Sequence, residues 1–181
     1  RTMASRFIVG STVDDAMDEL TEMWQRGVAS TVDLLGEATV TEREADVYTA
    51  RCEETLRTLA AAAPGWPERP LLEQDQHGRV PRVNLSVKVS AMTPNSRADD
   101  PERGARGASD RLRSLLRIGR ELGAHIHIDM ESLDLRETVT DLVFDLAAEP
   151  EFRDGPSIGM VLQGYLVDSP EELDRWLAWQ R

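Results

Sequence analysis

RVNLSVKVS, residues 82–90, is the stretch on which the reading of this chain turns. Leu85, Val87 and Val89 alternate with Ser86, Lys88 and Ser90, the period of two expected of a β-strand whose neighbouring side chains point to opposite faces. A parallel sheet covered on both sides has strands that are apolar throughout. This strand instead has one polar face, and that face carries the only lysine among 21 basic residues. AHIHIDME (124–131) repeats the arrangement, with Ala124, Ile126, Ile128 and Met130 opposing His125, His127, Asp129 and Glu131. Two such strands in succession point to a polar cavity bounded by a sheet.

The segments around these strands read as helices. Ser11 and Thr12 precede an acidic first turn, and Val13, Ala16, Met17, Leu20, Met23 and Trp24 recur at helical spacing until Gly27. VASTVDLL (28–35) is a short β-branched run. Thr41 and Glu44 have capping-box spacing and open a long helix bearing Ala45, Tyr48, Cys52, Leu56 and Leu59. A loop containing Pro64, Pro67 and Pro70 leads through His77-Gly78 to the second strand. Residues 93–109 read as a polar, turn-rich loop, followed by a helix with Leu112, Leu115, Leu116 and Leu122 that stops at Gly123. After the third strand comes a helix near 134–148, then a fourth strand, SIGMVLQGY (157–165). A last helix has Ser169 as N-cap and Pro170 in its first turn. Alternating strands and helices imply an α/β fold with a parallel sheet, either doubly wound or part of a (βα)8 barrel. A whole barrel takes roughly 250 residues, so four units amount to about half of one.

Composition narrows the function. With 181 residues, 40% of them hydrophobic and 30% charged, the chain belongs with globular proteins. Its formal charge of −12 opposes non-specific nucleic-acid binding and docking on anionic membranes. No apolar run is long enough to span a bilayer, and a lone Cys52 in a helical pattern suits a reducing cytosol and a structural role.

Asp33, Lys88, Asp129 and Gln163 all fall late in their strands, where parallel α/β folds bind ligands. A cation and carboxylates meeting there suit a small zwitterionic or acidic substrate. The plainer alternative is an ion pair that only holds the sheet together, a costly use of buried charge. His125 and His127, two apart on one face with Asp129 beyond, could ligate a metal as in barrel hydrolases, or be hydrogen-bonded interior residues. GARGAS (104–109) follows no strand and makes a poor phosphate loop.

The stretches FIVGSTVDDAM (7–17), RGVASTVDLLGEATVTEREA (26–45), VNLSVKVSAMTP (83–94), IHIDMES (126–132) and IGMVLQGYLVDSPEEL (158–173) together resemble the flavin-dependent proline dehydrogenases. The resemblance is to the bacterial type also found fused to an aldehyde dehydrogenase. It implies a distorted (βα)8 barrel with FAD at the carboxyl ends of its strands. It also implies oxidation of L-proline to 1-pyrroline-5-carboxylate by hydride transfer to the flavin, with electrons passed to a quinone. On the same grounds Lys88 matches the lysine that pairs with the proline carboxylate. Asp129 matches an aspartate beside substrate and flavin, and Met130 a neighbour of the cofactor. Gln163 matches a glutamine bonded to the isoalloxazine, while Asp33 and Glu37 match acidic residues that support the site. The expected setting is cytoplasmic, peripheral to the inner membrane where the quinone is met.

Residues 1–181 thus read as the first four βα units of such a barrel. The family's later strands, with an FAD-contacting basic strand and an arginine pair over the substrate carboxylate, have no match here. The expectation is that this stretch alone binds FAD poorly, is inactive, and self-associates through unpaired sheet edges. Two other functions compete: a metal-dependent barrel hydrolase built on His125, His127 and Asp129, and a non-catalytic half-barrel that only binds a partner.

Overall fold

Residues 84–87 and 125–128 form two adjacent parallel strands, and the sheet grows outward from them. The computed structural model describes residues 8–36, 39–94, 96 and 99–180. Its strands are β1 (Val32–Asp33), β4 (Asn84–Val87), β5 (His125–Ile128) and β6 (Ser157–Met160), all parallel and side by side in that order. Two further strands, β2 (Gln74–Asp75) and β3 (Gly78–Arg79), make a small antiparallel hairpin apart from the sheet. The helices are α1 (Val13–Gln25), α2 (Glu42–Ala62), the single turn α3 (Pro70–Glu73), α4 (Pro101–Leu122), α5 (Arg136–Ala147) and α6 (Ser169–Trp179). Among the described residues no helix is long and apolar enough to cross a membrane.

Strand parity holds. Leu85, Val87, Ile126 and Ile128 are fully buried in one core with Leu56 and Leu59 of α2, Leu112, Leu115 and Leu116 of α4 and Leu142 and Leu146 of α5. This apolar face is where folding gains most, at ~1.5–3 kcal/mol for each such side chain removed from water. Both capping boxes form: Thr12 accepts from the Asp15 N–H, and Thr41 from the Glu44 N–H. The Asp15 and Glu44 carboxylates return the bond to the cap backbone.

Several boundaries differ from expectation. Only Val32 and Asp33 of 28–35 are paired, and Ser157–Met160 of 157–165. The polar stretch 93–109 is not a loop throughout, because α4 begins at Pro101 with Asp100 accepting from the Arg103 N–H as its cap. Its glycines misled by propensity. A Cβ at Gly107 would lie 2.4 Å from Thr93 Oγ1, so close packing selects glycine there inside a helix. The last helix starts at Ser169, one residue before the expected position, with Asp168 at the N-cap position and no side-chain cap bond.

The proline-rich segment is organised by Arg82. Its guanidinium donates to the carbonyls of Ala63 (2.8 Å) and Trp66 (3.0 Å) and pairs with Glu73 at 2.9 Å. It also lies over the Trp24 ring, whose indole N–H donates to Pro67 O. Arg82 thereby ties α1 and the segment between α2 and β4 to the root of β4.

Candidate active site

The site forms because β4 and β5 run one residue past their paired segments in register. Ser86 pairs with His127 and Val87 with Ile128, and the Asp129 N–H donates to Val87 O at 2.9 Å. The next step brings Lys88 beside Asp129. On the other side β1 ends with Asp33 opposite Ser86. Lys88 Nζ lies 2.6 Å from Asp33 Oδ1 and 3.4 Å from Asp129 Oδ2. Its side chain is 11% exposed, whereas those of Asp33 and Asp129 are 44% and 30% exposed. A nearly covered ammonium is held between two carboxylates that remain open to an incoming molecule.

Burial alone pulls the Lys88 ammonium below its ordinary pKa. The hydrogen bond and charge of Asp33, and then those of Asp129, outweigh it, and the net shift is upward. Lys88 therefore stays a cation at neutral pH. Asp129 is fixed by accepting from the Met130 N–H at 2.8 Å. Met130 itself turns its side chain into the core, and its carbonyl accepts from Gln163 Nε2 at 3.1 Å. The Gln163 carbonyl oxygen in the side chain is buried without a hydrogen-bond partner. The Gln163 backbone is held by the Ser169 hydroxyl, which donates to its carbonyl at 2.6 Å. Beyond Lys88 and Asp129, the Ser90 hydroxyl donates to Glu131 and links the two strand ends again.

Asp33, Lys88 and Asp129 are therefore in contact, and Gln163 reaches them through the Met130–Asp129 backbone. Glu37 lies outside the described residues. His125 and His127 share the polar face but sit nearer the amino end. Their rings touch at 3.4 Å between Nε2 and Nδ1, and His125 Nδ1 bonds Ser157 Oγ at 2.8 Å. No group of three His, Cys, Asp or Glu side chains able to hold a metal occurs among the described residues, so the metal arrangement of His125, His127 and Asp129 does not form. The two half-buried rings are hydrogen-bonded to each other and, through His125, to Ser157. Clefts of about 600 and 590 Å³ lie elsewhere, at the amino ends of β4 and β5 and between α4 and α5, and neither includes these site residues.

A family model described as "Proline dehydrogenase" matches residues 16–181. The chain belongs to the proline dehydrogenase family. It is 28% identical over 174 residues to the bifunctional protein PutA of Escherichia coli (strain K12), which covers 96% of this chain and 12% of that protein. It is 23% identical to proline dehydrogenase 1 of Bacillus subtilis subsp. natto, covering 97% of this chain and 48% of that one. Among solved structures, proline utilization A from Bdellovibrio bacteriovorus, inactivated by N-propargylglycine, superposes with a TM-score of 0.91 at 32% identity. That match takes in 98% of this chain and 18% of the other. The chain thus spans half or less of the curated relatives it matches.

Two residues that touch the site are not marked as such by the sequence: Tyr48, whose hydroxyl accepts from the Lys88 N–H at 3.0 Å, and Ser169. Tyr48 was visible only as one member of a helical stripe, and Ser169 only as a cap. Sequence gives no signal for either contact, since both partners are backbone groups.

The histidine pair makes a pH prediction. Burial, and secondarily the neighbouring His127, lower the His125 pKa from its ordinary 6.5. The folded state therefore resists protonation. The associated stability is complete above pH ~6.5 and is lost as pH falls through the lowered value. His125→Gln should flatten the fall in thermal midpoint between about pH 7 and pH 5. A scan in which variant and parent keep the same slope would remove this assignment.

Proposed function

We propose that the protein oxidises L-proline to 1-pyrroline-5-carboxylate with FAD as cofactor and a quinone as electron acceptor. Membership of the family supports the reaction class. The observation that carries it to these residues is the solitary Lys88, covered yet charged, between two accessible carboxylates at the carboxyl ends of parallel strands. The sequential strand order supports an arc of a (βα)8 barrel, since a doubly wound sheet reverses order at its switch point.

Proline is a zwitterion, and the site offers complementary charge. The 3.4 Å contact to Asp129 is weaker than the 2.6 Å contact to Asp33 and yields first to a substrate carboxylate. Asp33 continues to anchor the ammonium, and the released Asp129 carboxylate is left to face the substrate amine. Lys88 thus fixes the acid end of proline while Asp129 orients the ring nitrogen.

The flavin suits the residues present in one respect. The orphaned, buried side-chain oxygen of Gln163 needs a donor, and an isoalloxazine imide N–H would provide one. Among the described residues, Lys88 is engaged by Asp33 and Asp129, and Arg136 by Asp168 at 2.6 Å. FAD, when bound, would supply the acceptor for the hydride of the ring carbon beside nitrogen, the ring nitrogen giving its proton to solvent, while Lys88 and Asp129 supply position and charge. The bifunctional relatives support an aldehyde dehydrogenase domain in the same polypeptide.

The test is anaerobic addition of proline to the purified full-length protein. The flavin absorption band should be present and should bleach. Bound zinc without flavin, or a flavin unchanged by proline, would refute the proposal.

A further inference from the structure

Lys88 is the last residue of an extended segment and has lost one neighbour. Ser86 and Lys88 direct their N–H groups toward β1, because Val87 gives its carbonyl to β5. β1 ends opposite Ser86, so the ladder offers no acceptor for the Lys88 N–H. The Tyr48 hydroxyl, reaching in from α2, takes it at 3.0 Å. The Lys88 carbonyl in turn accepts from the Ala91 N–H at 3.1 Å, so both peptide groups of Lys88 are held.

Tyr48 is itself fixed. Its residue is 5% exposed, and the fully buried Cys52 lies one turn further along α2. Its ring also lies against the chain leaving β1, where a Cβ at Gly36 would fall 2.7 Å from Cε2. One side chain therefore touches both strand ends whose residues make the 2.6 Å Lys88–Asp33 pair. Burial first, and Cys52 second, push the phenol far above its ordinary pKa, and burial pushes the Cys52 thiol up to about 11. Neither group exchanges a proton near neutral pH, which leaves Tyr48 a geometric role.

We infer that Tyr48 is a positioning residue for substrate binding: it replaces the missing strand at the Lys88 N–H and so sets where the ammonium meets a carboxylate. This rests on the proposed proline chemistry. Tyr48→Phe keeps the ring packing and removes only the acceptor, stranding a buried N–H. The Lys88 backbone must shift to find another partner, and Nζ shifts with it.

The experiment uses the full-length flavin-loaded protein and two probes, proline turnover and calorimetric binding of cyclopentanecarboxylate, which has no amine to oxidise. In Tyr48→Phe, KM for proline and Kd for the probe should both rise about 5- to 10-fold, the worth of one hydrogen bond. Its kcat should stay within about two-fold, as expected for lost uniform binding. Hydrogen exchange at the Lys88 amide should accelerate. Leu56→Val, fully buried on the same helix, is the control for general destabilisation. It should lower the thermal midpoint and leave both constants unchanged. Tyr48→Phe binding like the parent, or Leu56→Val weakening binding equally, overturns the positioning role alone. A parent that neither binds the probe nor oxidises proline overturns the functional reading and this role with it.

Discussion

Lys88→Met in the full-length protein should raise the KM for proline by about 30-fold or more while the flavin remains bound. Removing one partner of a buried charge pair costs ~2–5 kcal/mol, and each 1.4 kcal/mol is a factor of ten. Methionine keeps most of the volume, so the change is mainly electrostatic. Two carboxylates within 3.4 Å of the missing nitrogen would then face each other and repel an incoming carboxylate. Retention of the flavin and of a cooperative thermal transition separates this from simple damage. Lys88→Arg should restore the charge but little of the affinity, because the wide planar fork cannot occupy the ammonium's place. Unchanged proline kinetics in Lys88→Met would refute the assigned role.

The parts of this site legible in the sequence are those that depend on strand parity. Ser86 and Lys88 against Leu85 and Val87, and His127 and Asp129 against Ile126 and Ile128, had to lie on opposite faces once the segments were strands. Parity does not fix register. The step that sets Lys88 beside Asp129 depends on the pairing of Leu85 with Ile126, a choice made by packing against α4. Long-range contacts to backbone groups were illegible for the same reason: the Tyr48 hydroxyl on the Lys88 N–H and Arg82 on the Ala63 and Trp66 carbonyls have acceptors or donors common to every residue. The start of α4 was hidden differently. Gly104 and Gly107 argue against helix by propensity, and the contact of Gly107 with Thr93 overrides that penalty. The resemblance contributed what pattern could not, a partner for the solitary ammonium.

The register argument has its own test, at Ile126 and Gly119. Ile126 is fully buried at the middle of β5, and α4 crosses it at Gly119, where a Cβ would lie 3.0 Å from Ile126 Cγ1 and 3.2 Å from its Cδ1. Ile126→Ala should cost ~2–5 kcal/mol, from lost transfer energy and the cavity left between sheet and helix. Gly119→Ala alone should gain up to ~1 kcal/mol in helix propensity, but its methyl presses a branched side chain on the central sheet. The net effect in the parent should therefore be destabilising or near zero. In the Ile126→Ala background the obstructing atoms are gone, and the same methyl enters the space they vacated. Gly119→Ala should then be clearly stabilising, giving a coupling of about 1–2 kcal/mol between the two sites, within the range found for residues in contact. Urea unfolding of the parent, both single variants and the double variant measures it. Additive effects would mean that α4 does not sit on β5 in this way. The register that brings Lys88 to Asp129 would then lose its physical basis.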